Sequence, residues 1–349
     1  MSTPLHVVEG PYLRDILDQP RALEETLRRL SPSPPLDEIS RGVAEGRYVR
    51  VVLTGMGSSF HGLHPLHLRL VDTGVPSMMV ETSELLHYQS RLLEERTLLV
   101  LVSQSGRSAE IVRVLEATGP GVTTLAVTNT ADSPLIARAT AVVLTHAGEE
   151  ATVACKTHLA IQMALVWLGT RLTGGDAEET HAALEATIPA VQRYVDDWRA
   201  HVEDLASSLD GVRAVFYVGR GPSLGAVYSA GLISKESTHR PSEGLGSAAF
   251  RHGPMEMLND RVFVLVFAGE DRTRALNESL VTDTRATGAR AFLVSEDSDR
   301  PALRLPGVAP LARPVVEILP VEMLTLALPA LDGREAGTFR VGGKVTTVE

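Results

Sequence analysis

The feature that most restricts what this chain can fold into is a succession that occurs in both halves. An apolar run leads into a polar loop rich in glycine and serine, and a helical pattern follows. In the first half the loops are Thr54-Gly-Met-Gly-Ser-Ser59 and Ser103-Gln-Ser-Gly-Arg-Ser108. In the second half Val218-Gly-Arg-Gly-Pro-Ser223 is followed by Glu236 and by Arg251-His-Gly-Pro254. The stretch 98–103 is apolar up to its final serine, the pattern of a strand buried on both faces of a parallel sheet. A strand, a tight turn and a helix in that order put exposed backbone amides at the helix N-terminus, where an anion is favoured. The expectation is a phosphorylated small molecule held by one half, with acid and base groups supplied by the other.

A chain of 349 residues is longer than a single core usually grows, so two domains are expected. The formal net charge of -10 argues against a broad nucleic-acid or membrane surface, though it leaves room for a local basic pocket. The single cysteine, Cys155, excludes an intrachain disulfide and a multi-cysteine metal site, and fits a reducing cytoplasm. The start Met1-Ser-Thr-Pro-Leu5 has no basic segment leading into an apolar run, so no signal peptide is expected. No uninterrupted apolar run reaches membrane-spanning length.

The pattern divides the chain into a helical segment over 1–45, an α/β domain over 46–178, a second over 179–332 and a tail over 333–349. In the first segment Pro20 marks a helix start and Ser31-Pro-Ser-Pro-Pro35 a break. The first domain reads as strands at 47–53, 77–81, 98–103, 122–128 and 141–144. Its helices fall at 61–70, at 107–117 with a face of Ile111, Val112 and Leu115, and at 155–172. After a linker at 173–178 and one or two helices over 179–206, strands are expected at 214–218, 262–268, 289–294 and 315–319. Helices fall at 225–236, 273–287 and 322–328. This is an α/β chain with two parallel sheets, each flanked by helices. The tail carries Gly333, Gly337, Gly342 and Gly343. Disorder and closure over a site are both compatible with it.

The loop Ser103–Ser108 lacks the Gly-Lys-Ser/Thr of a nucleotide-binding P-loop, and Gly219-Arg-Gly221 is too short for a dinucleotide fingerprint. Gly106 allows a tight turn that presents amides. The competing explanation is that these serines are ordinary helix caps.

At these residues the chain resembles the sugar isomerase (SIS) domain family, and within it the isomerase portion of glutamine–fructose-6-phosphate amidotransferase. The resemblance runs from Leu17-Asp-Gln-Pro-Arg-Ala22 through Gly57-Ser-Ser59, Glu84, Ser103–Ser108, Ala147-Gly148, Glu150 and Val153-Ala154. It continues through Gly219-Arg-Gly221, Lys235-Glu236 and His252-Gly-Pro254 to Lys344-Val-Thr-Thr-Val-Glu349. It implies two tandem SIS-type domains and a homodimer. It further implies that Ser59, Ser103, Gln104, Ser105 and Ser108 bind the sugar phosphate, with Ser58, Glu84, Val153 and Ala154 in support. Glu236 matches the base that moves a proton between C1 and C2. His252 matches the ring-opening residue, often contributed by the neighbouring subunit. Lys344 matches the tail lysine that engages the sugar carbonyl, which favours an ordered tail.

Three departures stand out. From residues 1–349 no glutaminase domain with its cysteine nucleophile is expected. Ser229 and Ile233 occupy positions where the amidotransferase has a glutamate and a lysine. Arg107 replaces an acidic residue, and Cys155-Lys-Thr157 departs from the family's Ser-Thr-Lys order.

Glu236, His252 and Lys344 suffice chemically for ring opening, proton shuttling and Schiff-base formation, with no metal or other cofactor. A solvated glutamate, a turn-bracing histidine and a surface lysine are their bland counterparts. His158, on an apolar helix, reads as a packing residue, and the histidines show no metal-ligand spacing. The function expected is release of ammonia from an amino-sugar 6-phosphate such as glucosamine 6-phosphate, giving a ketose 6-phosphate. The alternatives are deglycation of a ketose-amine 6-phosphate, for which Ser229 and Ile233 would leave space, ammonia-dependent synthesis in reverse, and a non-catalytic phosphosugar sensor.

Overall fold

Every residue of the strand Thr97–Val102 is buried, as an unbroken apolar run at the middle of a parallel sheet requires. The computed structural model describes residues 4–346. The ends Met1-Ser-Thr3 and Thr347-Val-Glu349, the latter closing the tail motif, lie outside the described residues.

The first sheet contains β1 (Arg50–Gly55), β2 (Ser77–Met79), β3 (Thr97–Val102), β4 (Thr123–Thr128) and β5 (Ala141–Leu144). All pairings are parallel and the order is β2-β1-β3-β4-β5. The second contains β6 (Ala214–Gly219), β7 (Ser242–Gly246), β8 (Val262–Phe267) and β9 (Arg290–Val294), parallel in the order β7-β6-β8-β9. In each sheet the chain winds outward in both directions from its first strand. Such a reversal leaves a crevice beyond the C-terminal ends of the two strands flanking it. Here these are β1 with β3, and β6 with β8.

The strands sort their side chains by alternation. Val51, Leu53, Leu98, Val100 and Val102 pack on one face, with Ile161, Leu165 and Leu168 of the helix Lys156–Thr173. Val52, Leu99 and Leu101 pack on the other, with Ile111, Val114 and Leu115 of the helix Ala109–Ala117. The buried face of that helix therefore uses Val114, and Val112 is only partly covered.

By contacts the chain forms two compact units, neither of them continuous. One, built on the first sheet, takes Arg21–Glu149, Lys156–Ala186 and the tail from Val341. The other, built on the second sheet, takes the N-terminal residues up to Pro20, Glu150–Cys155 and Thr187–Arg340.

Several elements differ from the sequence expectations. The break near residue 31 is shorter than expected, because Pro34 and Pro35 open the helix Pro34–Ala44. Proline is tolerated there, since the first-turn amides have no intrahelical partner anyway. The stretch 315–319 is not a strand: it lies across the helix Arg313–Val316 and the start of the helix Leu319–Leu331. Strand β7 was not anticipated. Among the described residues, Pro310–Leu331 is the one segment long and apolar enough to cross a membrane, and 89% of its apolar window is buried inside the fold.

Candidate functional site

The loop Ser103–Ser108 lies where the first sheet reverses, between β3 and the helix Ala109–Ala117. Its shape is set by its own serines. The Gly106 amide donates to Ser103 Oγ at 3.1 Å, and the Arg107 amide to Ser105 Oγ at 3.2 Å. A hydroxyl that accepts an amide still has its own proton to donate. The Gln104 carbonyl accepts the Asn129 amide at 3.1 Å and the Thr128 and Thr130 hydroxyls at 3.2 and 3.3 Å, which pins the loop to the end of β4. Gly106 has φ +61, and a Cβ there would lie 2.4 Å from Ser133 Oγ, so only glycine fits without displacement.

Ser108 occupies the N-cap position of the helix but makes no side-chain capping bond. The ordinary-cap explanation therefore fails at this serine. Its hydroxyl stands beside a helix N-terminus that the side chain leaves uncapped, an arrangement suited to an anion. Arg107 is engaged to one side, donating to the Asp132 carbonyl at 2.5 Å and pairing with its carboxylate at 3.2 Å. Ser58 and Ser59 are half-buried in the short helix Gly57–His61 that follows β1, at the other lip of the same reversal. Glu84 is exposed on the helix Thr82–His87. Burial, then the neighbouring Glu84 and Glu110 carboxylates, raise the Glu81 pKa.

The tail belongs to this unit as well. The Ala109 amide, first in the helix, donates to the Thr346 carbonyl at 3.2 Å. Thr346 follows closely on Lys344, which is half-buried. The backbone of the lysine segment is thus fastened to the helix that the serine loop opens.

The other candidates lie in the second unit. Glu236 is half-buried near the end of the helix Leu224–Thr238. That helix packs tightly on β7: a Cβ on Gly231 would lie 2.5 Å from the Gly244 amide nitrogen. Ser229 and Ile233 are both fully buried. Neither borders open space, so the room for a larger nitrogen substituent expected at these positions is not there. Both side chains are neutral, and no charged relay runs through them.

His252 is exposed, just after the helix Ser247–Arg251 that follows β7. The helix bearing Glu236 returns from the C-terminal end of β6 to the start of β7, whereas His252 follows the end of β7. The two residues therefore lie at opposite ends of the second sheet. Val153 is buried and Ala154 half-buried in a loop held from both sides: the Ala151 amide donates to Asp15 Oδ2 at 2.7 Å and the Cys155 amide to Glu150 Oε1 at 2.9 Å.

Two buried carboxylates escaped sequence reasoning. Ser223, in the second glycine loop, donates its hydroxyl to Glu317 Oε1 at 2.6 Å. Burial pushes Glu317 up to about 7 against the opposing effects of that bond and of Arg313. At the second sheet reversal the chain's own carboxyl group therefore occupies the hydroxyl of Ser223. Glu322 is fully buried, receives Gln19 Nε2 at 2.7 Å on each oxygen, and is pushed up to about 8, chiefly by burial. No sequence signal marks either residue, because each falls in the apolar stretch that reads as core.

Burial lowers His158 to about 4, with the nearby His61 adding to the effect, so it stays neutral as a packing residue would. Among the described residues no group of histidine, cysteine and carboxylate side chains is placed to hold a metal ion.

The SIS domain family matches residues 47–170, which hold the first sheet and its serine loop. A glutamine--fructose-6-phosphate aminotransferase [isomerizing] of Symbiobacterium thermophilum is 30% identical over 97% of this chain and 59% of its own length. The chain spans somewhat under three-fifths of the curated relatives it matches, from 57% to 59% of each. Among solved structures, a glucosamine-6-phosphate deaminase from Thermotoga maritima aligns with a TM-score of 0.80 at 18% identity, covering 97% of this chain and 99% of that one. A tagatose-6-phosphate ketose/aldose isomerase from Escherichia coli aligns with a TM-score of 0.76 at 18% identity, covering 98% of each chain. These two likenesses are of fold. The SIS match and the sequence match along nearly the whole chain make this an SIS-domain protein, related to the isomerase domain of the aminotransferases.

Proposed function

We propose that the protein converts an amino-sugar 6-phosphate, with glucosamine 6-phosphate the leading candidate, to the ketose 6-phosphate and ammonia. The observation that carries this reading is the Ser103–Ser108 loop. It is a hydroxyl-lined turn at a sheet reversal, it opens a helix whose N-cap serine is uncommitted, and the lysine-bearing tail is bonded to that helix. The loop and Ser59 hold the phosphate through hydroxyl and amide donors.

His252 protonates the ring oxygen as the C1 hydroxyl loses its proton, giving the open-chain aldehyde. Glu236 removes the proton at C2 and returns it at C1, so that the aldehyde becomes an alcohol and the amine an imine. The Lys344 amine adds to that imine and expels ammonia, and water hydrolyses the lysine adduct to the free ketose phosphate. The exposure of His252, and its place at the far end of the sheet from Glu236, favour a homodimer in which each active centre draws its histidine from the partner.

The test is an NMR time course with glucosamine 6-phosphate, with ammonia quantified, on the unaltered protein and on E236Q. Ammonia and fructose 6-phosphate are expected from the unaltered protein. E236Q should lose roughly a hundredfold to ten-thousandfold in rate with its fold intact. Saturable binding without ammonia would refute the deaminase reading and move the search to ketose-amine phosphates or to a sensor.

A further inference from the structure

Where the strands of the second sheet begin, the surface opens into a cavity of about 700 Å³. Three segments wall it. They are the turn before β6, the link from the helix Leu224–Thr238 to β7, and the stretch after the helix Leu319–Leu331. It is lined by Arg213, Arg240, Arg334 and Arg340, with only Asp210 and Asp332 as carboxylates. Asp332 is shared, pairing with Arg240 at 2.6 Å and with Arg334 at 3.4 Å. Arg213 and Arg340 make no side-chain hydrogen bond or ion pair among the described residues. Uncompensated arginines collected in one concavity are unusual on a chain whose net charge is -10. Separate surface arginines would minimise their mutual repulsion by pointing apart into solvent.

The cavity also joins two segments that matter to the chemistry. His239 ends the helix bearing Glu236 in the left-handed conformation, with φ 51. Its ring Nε2 donates to the Thr338 carbonyl at 2.7 Å. Arg334 in turn donates to the Thr238 carbonyl. The end of the helix and the root of the segment leading to Lys344 are thus tied together by His239 and Arg334, both of which line the cavity. Burial first, and then the neighbouring arginines Arg340 and Arg334, hold the His239 pKa down, although its bond to Thr338 opposes them.

We propose that this cavity is a second anion site, separate from the Ser103–Ser108 loop, and that it takes a phosphorylated small metabolite whose binding steadies the end of the Glu236 helix and the root of the tail. Its volume suits a small ligand. Guanidinium groups match phosphoryl oxygens in paired hydrogen bonds. The lining has no Phe, Tyr or Trp ring to stack a base, so the anion rather than a nucleobase is what would be recognised. The site stands whether or not the catalytic reading does.

The test is hydrogen exchange on the full-length protein titrated with pyrophosphate, with citrate as a carboxylate arm, on the unaltered chain and on R213E/R340E. Neither substituted side chain has a hydrogen-bond or ion-pair partner among the described residues, so the fold should tolerate them. The expected result is slower exchange at residues 238–240 and 338–340 with pyrophosphate. The affinity of that event should fall roughly tenfold or more in R213E/R340E and stay unchanged in the control R28E/R41E. Slowing at 104–110 alone, equal affinity in all three proteins, or no slowing at any of these positions would each overturn the proposal. Citrate acting as strongly as pyrophosphate would overturn the phosphate assignment.

Discussion

Gly106 shows how much of the serine loop rests on one residue. Its φ of +61 and the 2.4 Å separation between a virtual Cβ and Ser133 Oγ act together, since the first strains any other residue and the second displaces a neighbour. Gly106→Ala should destabilise the protein by about 1–3 kcal/mol and weaken phosphate binding more than the fold, because the amides of residues 106 and 107 would leave their serine acceptors. A urea melt beside an inorganic phosphate titration reads the two effects separately. Unchanged phosphate affinity would remove the loop from the binding site. Glu322 makes a different prediction, of stability against pH. Its folded pKa is raised to about 8, chiefly by burial, whereas in the unfolded chain it titrates in the ordinary carboxylate range. Between those values the folded protein retains a proton that the unfolded chain has released, so stability falls as pH rises through the interval and levels off above about 8. The slope from this one group is at most about 1.4 kcal/mol per pH unit. Glu322→Gln keeps the shape and a donor opposite Gln19 and should flatten that slope. Melts of both proteins from pH 5 to pH 9 whose difference does not change with pH would refute the assignment.

Among the elements, the helix Leu224–Thr238 is fixed by glycines more than by side chains. A Cβ on Gly231 meets the Gly244 amide, and one on Gly244 would lie 2.2 Å from the Val227 carbonyl oxygen, so helix and strand touch backbone to backbone. Gly231→Ala should cost about 1–3 kcal/mol by overpacking and push the helix off β7, moving Glu236. Turnover should then drop while phosphate binding by the Ser103–Ser108 loop persists. Equal loss of both would show that the whole fold had failed. The same contact explains why β7 was invisible in the sequence. The run Ser-Glu-Gly-Leu-Gly lacks the β-branched and aromatic residues of an ordinary strand, because the approaching helix leaves no room for them. The stretch 315–319 misled in the opposite sense: Val315, Val316, Ile318 and Leu319 are all buried, so no periodicity separates helix from strand. Pro314 and Pro320 decide the matter, each standing in the first turn of a helix. Strands β3 and β6, with their apolar runs and serine or glycine exits, were legible from pattern alone, and so was the position of the serine loop. Glu317 and Glu322 were not, since their burial depends on partners distant in sequence, Ser223 and Gln19.

At the scale of the whole molecule, the placement of Glu236 and His252 decides what an active assembly must contain. Both belong to the unit built on the second sheet, yet they stand at opposite ends of its strands. A strand of five or six residues spans about 17–20 Å, far beyond the reach of two side chains acting on one small sugar. If both residues act on the same substrate molecule, the histidine must come from another copy of the chain. A twofold dimer exchanges equivalent residues reciprocally, so each dimer then holds two mixed centres. Two inactive variants, E236Q and H252A, would therefore complement each other. In a mixed dimer one centre carries both substitutions, while the other pairs an intact Glu236 from one chain with an intact His252 from its partner. When the two variants are co-expressed in equal amounts, half of the dimers are mixed and half of the centres in those are whole. Roughly a quarter of the normal activity should return, against almost none for either variant alone. The measurement is ammonia release by the co-expressed protein before fractionation, and then by mixed dimers purified through different tags on the two chains, in which about half of the normal activity is expected. Inactive mixed dimers would mean that both residues serve within one chain, or that His252 has no part in the reaction. Activity near the full value would mean that one of the two substitutions had not disabled its own centre.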